Sequence, residues 1–251
     1  MAQIGYGYGS EFQLLRFMGR HRKMLDNEIC TSLHESGHIN WLDFSLGTRF
    51  CSITGDEELK GLSFLNDESI TKIYTEDVIK RTIKDYKKYN INNIDKWQNW
   101  DAVFTLNNII YLVEAKAYVH EFKDGNNIHG EKSQKEIERF FSEQMNMTGL
   151  KANINEEWFK SYYQFANRLA MAAFLNNHNI KTKVLYIFFL NGFSKRTVEE
   201  GKIIEVINKD KDSTKKKFEA VLSDAKIRLG LEHCNLNGIL CDPIYINSYT
   251  E

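Results

Sequence analysis

Long apolar runs, proline and an excess of charge of either sign are all scarce in this chain. No stretch of its 251 residues approaches the roughly 18 consecutive apolar residues that a membrane helix needs, which excludes a helical membrane span from the expected architecture. The first dozen residues lack the basic and apolar regions of a secretory signal, so a soluble, cytoplasmic protein with no membrane partner is expected. There is a single proline, Pro243, and no repeat or low-complexity tract. Nothing therefore marks a linker, and one domain spanning residues 1–251 is expected. The four cysteines, Cys30, Cys51, Cys234 and Cys241, form neither a CxxC pair nor zinc-finger spacing, and read as free thiols in a reducing compartment. The formal net charge of −1 excludes a protein that works through a global positive field; a role on nucleic acid would have to come from a local site.

What is present is enough apolar side chain, 42% of the residues, to build a sizeable core. A helix is expected from Ser10 to Glu28, with Ser10 and Gln13 as a capping box and Phe12, Leu15, Met18, Arg22 and Leu25 along one stripe. A short strand, Ile39 to Phe44, precedes an irregular stretch and a helix from Thr75 to Tyr89. Two strands then follow, Trp100 to Leu106 and Ile109 to Ala117, separated only by Asn107 and Asn108, which tolerate positive φ and read as a two-residue hairpin turn. Helices are expected at Glu131 to Met147 and Glu156 to Asn176. The run Val184 to Leu190 is too uniformly apolar for a strand with one wet face and reads as a central strand covered on both sides. A polar, lysine-rich segment, a helix from Ser213 to Leu229 and a strand from Ile239 to Ile246 complete an α/β layer fold with a mixed central sheet flanked by helices.

The hairpin carries the chemistry. Its tight turn sets Asp101 opposite Glu114, and alternation along the strand puts Lys116 on the same face. Like charges opposed on neighbouring strands are destabilising, so the patch needs compensating cations; Lys116 supplies one and a bound divalent metal would supply more. Oxygen ligands of this kind suit Mg2+ or Mn2+, ions that promote phosphoryl transfer. The competing structural reading is an amphipathic strand whose core side is Val113, Ala115 and Ala117.

The run WDAVFTLNNIIYLVEAKA resembles the PD-(D/E)xK nuclease signature, with Trp100 standing where the family has proline. EFQLLRFMGRHR, WDAV, VEAKA, YYQFANRLA and IFFLNG are similar to a little-characterised bacterial family within that superfamily. The resemblance covers about residues 10–190 and implies a restriction-endonuclease-like αβββαβ core. It further implies a metal-dependent phosphodiester hydrolase acting on nucleic acid, DNA in the first instance, with a homodimer supplying two sites for the two strands of a duplex. Asp101 and Glu114 would ligate the metal together with the Ala115 carbonyl, and Lys116 would orient or activate the attacking water. Two supporting residues follow from the same resemblance: Glu11, as a first-helix acid joining the metal site, and Gln164, as a polar helix residue beside the ExK strand.

Other residues have bland readings beside the functional ones. Glu11 would also complement its helix dipole, and Gln164, Asn167 and Arg168 would also serve as a buried network holding helix to sheet. Arg168 either meets a phosphate or pairs with a carboxylate, and Tyr163 reads as core. Arg16, Arg20 and Arg22 are candidate phosphate contacts; the lysines of 80–88 and 209–217 read as solvated faces. One motif competes: His34-Glu35-Ser36-Gly37-His38 spells the HExxH pattern of zinc peptidases, with Glu57 or Glu58 as a third ligand. That pattern needs an unbroken helix, and Ser36-Gly37 before the strand-like INWLDF argues for a turn. A nucleic-acid-binding protein that keeps the nuclease fold without turnover is the remaining alternative.

Overall fold

The computed structural model describes residues 9–42, 59–89, 98–123, 131–150, 152–190, 194–199, 202–207 and 211–248. Two helices come first, α1 (Ser10–Arg20) and α2 (Arg22–Leu33), where the pattern reads as one. The chain leaves helical geometry at His21 (φ −125°, ψ 26°), two residues after Gly19, whose backbone freedom weakens a helix interior. The Met18 carbonyl, which a continuing helix would offer to the Arg22 amide, receives Arg22 Nε at 3.1 Å. The buried stripe is accordingly Leu14, Phe17, Met18, Leu25 and Ile29, with Phe12 and Leu15 only half-buried. The expected capping box is not formed either: Gly9 is the N-cap and Ser10 already lies inside the helix.

β1 (Asn40–Trp41) is shorter than the strand expected from Ile39 to Phe44, whose last two residues, Asp43 and Phe44, lie outside the described residues. β2 (Leu59–Lys60) pairs with β3 (Asn99–Trp100) in a small antiparallel ladder that sequence patterning does not reveal. Between them lie α3 (Glu68–Thr71), capped by the Asp67 carboxylate on the Ser69 amide at 2.9 Å, and α4 (Glu76–Lys87), close to its expected bounds. β4 (Ala102–Leu106) and β5 (Ile109–Lys116) form the hairpin, followed by α5 (His120–Lys123) and α6 (Glu131–Met147). The helix expected from Glu156 is divided into a 3-10 turn, Glu156–Phe159, and α7 (Tyr163–Asn177). β6 (Thr182–Leu190) is the expected central strand. The polar segment after it holds a hairpin, β7 (Ser194–Glu199) with β8 (Lys202–Ile207), before α8 (Lys211–Arg228). β9 is only Ile244–Asn247. Leu240 makes an isolated parallel bridge to Val184, and Pro243, having no N–H to give, separates it from the strand proper.

The main sheet of the described residues has the order β1-β4-β5-β6-β9, antiparallel from β1 to β5 and parallel from β5 to β9. Alternating side chains feed two cores. On one face Val103, Ile110, Leu112, Val184, Tyr186 and Phe188 pack with residues of α4, α6, α7 and α8. On the other, Phe104, Tyr111, Val113, Ala115, Leu185, Ile187 and Phe189 pack with Leu14, Phe17, Leu25 and Ile29 of the first two helices. β6 is thus covered on both faces, as its composition requires. No described helix is long and apolar enough to cross a membrane.

Candidate active site

The hairpin turn is made as its sequence dictates: Asn107 and Asn108 adopt φ of 51° and 62°, the left-handed pair that matches strand twist. The ladder runs from Leu106↔Ile109 to Ala102↔Val113, so Asp101 and Glu114 are the next residues in line. Asp101 is not in the strand, however. It occupies a bend between β3 and β4, where the chain changes from the small ladder to the main sheet. Ala115, beyond the end of that ladder, directs its N–H toward the β4 side, and Asp101 Oδ2 accepts it at 2.7 Å. The carboxylate caps the ladder end, where a buried amide would otherwise lack a partner.

Glu114 and Lys116 lie on the β5 face that looks toward α7, and both are buried, at 3% and 8% exposure. Lys116 Nζ donates to Glu114 Oε1 at 2.6 Å and to Gln164 Oε1, in the first turn of α7, at 3.3 Å. One turn further along, Arg168 gives Nε to Glu114 Oε2 at 2.8 Å and a terminal nitrogen to the Asn99 carbonyl at 2.7 Å. Its guanidinium carbon lies 4.8 Å from the centre of the Trp100 ring. Asn167 accepts a hydrogen bond from Gln98 Nε2, and Tyr163 is core. Of the two readings of Arg168, the carboxylate pairing is the one present.

Two cations therefore stand beside the two acids, Lys116 as expected and Arg168 through its carboxylate pairing, and both are on Glu114. Burial, and then the charge of Glu114, push the Asp101 carboxyl up to about 8. Burial acts on Glu114 in the same direction, but Arg168 and Lys116 outweigh it and hold that carboxyl well below the usual range. Burial alone would lower the Lys116 ammonium; Glu114 and Asp101 raise it instead. The repulsion expected of two neighbouring acids thus falls on Asp101.

A further acid was hidden in the charged stretch after β5. Glu121 Oε2 accepts the Ala117 amide at 2.7 Å and the Tyr118 amide at 3.4 Å, and the same carboxylate takes the Ser10 amide at the start of α1. It joins the end of β5 to the first turn of α1. Its bonds to Ala117 and Tyr118 are local, but only a fold that returns α1 to this strand end adds the Ser10 amide. Glu11 follows Ser10 in that first turn; its side chain lies outside the described residues.

The remaining candidates are placed elsewhere. The Arg16 guanidinium donates to the Ser248 carbonyl and lies over the Phe17 ring, Arg22 is tied to Met18, and Arg20 is exposed. α2 ends at Leu33, with His34 left-handed at φ 53°, so the HExxH residues do not share a helix. Glu35 instead accepts the Asn107 side-chain amide at 2.7 Å, which docks this loop on the hairpin turn. Glu57 and Glu58 lie outside the described residues, as do Cys51 and Lys209; Cys30, Cys234 and Cys241 are free and half-buried. Among the described residues no group of three or more His, Cys, Asp or Glu side chains is gathered at one point. In comparisons with known proteins the chain matches no family model, no curated protein and no solved structure.

Proposed function

We propose that this chain is a Mg2+- or Mn2+-dependent phosphodiester hydrolase of the PD-(D/E)xK kind, acting on nucleic acid and on DNA in the first instance. The observation that carries this reading is the meeting of Asp101, Glu114 and Lys116 at the end of the β4–β5 hairpin, with Lys116 Nζ held between Glu114 at 2.6 Å and Gln164 at 3.3 Å. The site lies at the carboxyl ends of β5 and of its parallel neighbour β6, where open α/β sheets commonly bind ligands.

The donor set fits a hard divalent cation, since every candidate ligand is an oxygen. Asp101 uses Oδ2 on the Ala115 amide, and its carboxyl is held protonated by burial and by Glu114, a condition that a nearby cation relieves. The Ala115 carbonyl leaves the extended strand on the same side as its N–H, toward Asp101. Glu114 joins by exchanging one of its two cationic partners. A divalent ion held there would neutralise phosphate charge and lower the pKa of a bound water.

The chain's own residues do the rest. Lys116, kept charged by Glu114 and Asp101, orients the attacking water and steadies charge developing on the phosphate. Gln164 aims Lys116. Glu121 ties the end of β5 to the backbone at the start of α1, and Glu11 is proposed as a further acid on the resemblance alone. Arg20 is the exposed first-helix arginine suited to a backbone phosphate.

The test is incubation with supercoiled, linear and single-stranded DNA, and with RNA, in the presence of either metal. Metal-dependent cleavage that disappears in Lys116→Ala is expected. Absence of cleavage on every substrate, or cleavage that survives in Lys116→Ala, overturns the reading. A second reading has one observation in its favour: both Glu114 oxygens are occupied, which suits a protein that binds nucleic acid without turnover. Metal binding with no hydrolysis of DNA or RNA would select it. The homodimer and the cytoplasmic location belong to the same proposal, and sedimentation of the protein on duplex DNA reads the former.

A further inference from the structure

Arg168 is built into the site more deeply than a phosphate-binding arginine needs to be. The residue is 7% exposed, with Nε on Glu114 at 2.8 Å, a terminal nitrogen on the Asn99 carbonyl at 2.7 Å, and its flat face on Trp100. Lys116 occupies the other Glu114 oxygen. With a cationic donor on each of its two oxygens, Glu114 would have to share its charge among three cations if a divalent ion joined without displacing one of them. Lys116 and Arg168 already offset Glu114, while burial and Glu114 hold the Asp101 carboxyl up, so an additional double charge would leave the buried cluster with an excess of positive charge.

Resting on the metal-dependent reading above, we infer that Arg168 is an internal counter-ion that a divalent cation must displace from Glu114, so that Arg168 sets the metal affinity of the site. Lys116 is the less suitable group to yield, because Gln164 also holds it and the proposed chemistry requires it in place. Arg168 has somewhere to go. Its long stem permits the guanidinium to rotate off Glu114 while the Asn99 carbonyl and the Trp100 ring continue to hold it. Once off Glu114 it presents two N–H groups at the edge of the site, the fork that matches a phosphodiester's oxygens. Metal and phosphate would then assist one another, since each gains from the Arg168 position that the other favours.

Two measurements decide it. The first is Mn2+ affinity by calorimetry for the wild type, Arg168→Gln and Arg168→Lys, each checked for folding by circular dichroism. Arg168→Gln is expected to bind Mn2+ about tenfold tighter or more, the low end of what couplings between close buried charges produce, while Arg168→Lys, which keeps the charge, stays near the wild type. The second uses the wild type alone, so that a variant that fails to fold leaves the question answerable: the 15N–1H signal of Arg168 Nε is followed as Mg2+ is added. A signal protected without metal that shifts or is lost at saturation is expected. Mg2+ binding that leaves this signal unmoved, or an Arg168→Gln affinity equal to or weaker than the wild type's, overturns the displacement and leaves the metal-dependent reading standing. No binding by either the wild type or Arg168→Gln overturns both.

Discussion

The two sides of β5 are built from different materials although they alternate along a single strand. Toward α1 and α2 the strand presents Tyr111, Val113 and Ala115, and their partners are Leu14, Phe17, Met18 and other apolar groups. Toward α7 it presents Ile110 and Leu112 and then, at its end, Glu114 and Lys116. The first face is held by area removed from water, is non-directional, and tolerates replacement by side chains of similar volume. The second is held by two ion pairs that share Glu114, one to Lys116 and one to Arg168, with Asp101 beside them, so that removing Glu114 leaves two buried cations without their carboxylate. The difference teaches where this fold can be spared and where it cannot.

The sharpest expected contrast is in activity. On the proposed function, Lys116→Ala loses hydrolysis by on the order of 1,000-fold or more, the scale of removing one electrostatic stabiliser, whereas Val113→Ala on the opposite face keeps most of it. A single-turnover assay on DNA that finds the two variants alike would erase the distinction between the faces.

Stability should separate them next. Glu114→Ala strands two buried cations and is expected to destabilise by about 3–5 kcal/mol in urea unfolding. Val113→Ala removes a small apolar group and should cost about 2 kcal/mol. If Glu114→Ala proves the milder of the two, the ion-paired face is not the fragile one.

The pH dependence sharpens the comparison within the charged face itself. Asp101 is raised from near 4 in an unfolded chain to about 8. Its contribution to stability is therefore fully present below the unfolded value and is lost as pH rises through the folded value. Glu114 is shifted the other way: its contribution is present above its unfolded value and is lost only as pH falls through the acid range. Without metal, the melting temperature should decline from pH 5 to pH 8 in the wild type and change less in Asp101→Asn, whose amide oxygen can still accept the Ala115 N–H. Added Mg2+, Mn2+ or Ca2+ should raise the wild-type melting temperature and leave that of Asp101→Asn where it was. An Asp101→Asn protein that melts well below the wild type at pH 8 would make Asp101 a structural acceptor and remove the best support for the metal site.

The smallest effect is expected on the face of the first helix. Arg20→Gln should change stability by less than about 0.5 kcal/mol, and should flatten the salt dependence of DNA binding by about one phosphate contact. An unchanged salt slope would return Arg20 to ordinary solvated surface.

Legibility from sequence followed the range of the interaction. The Asn107-Asn108 turn is local chemistry, and with it came the register that brings Asp101 to Glu114 and sets Lys116 on the same face. The break at His21 was missed because Gly19 is a weak signal and the apolar residues continue through it. The β7–β8 hairpin was passed over because lysine and glutamate interrupt its apolar residues. The role of Glu121 in joining β5 to α1 could not be recognised, since Ala117 and Tyr118 are local partners but the Ser10 amide reaches it only in three dimensions.

What the amino-acid order determined by itself is therefore the strand alternation, the hairpin turn and the chemical identity of the cluster, because each depends on residues within 15 positions of one another, from Asp101 to Lys116. Tertiary structure alone decided how that cluster is neutralised. Arg168 lies 54 residues from Glu114 in the chain, and its guanidinium reaches that carboxylate only because α7 packs across the face of β5. The physical reason is that a buried charge selects its partner by distance in space, and no local pattern encodes which distant cation the fold will bring within reach.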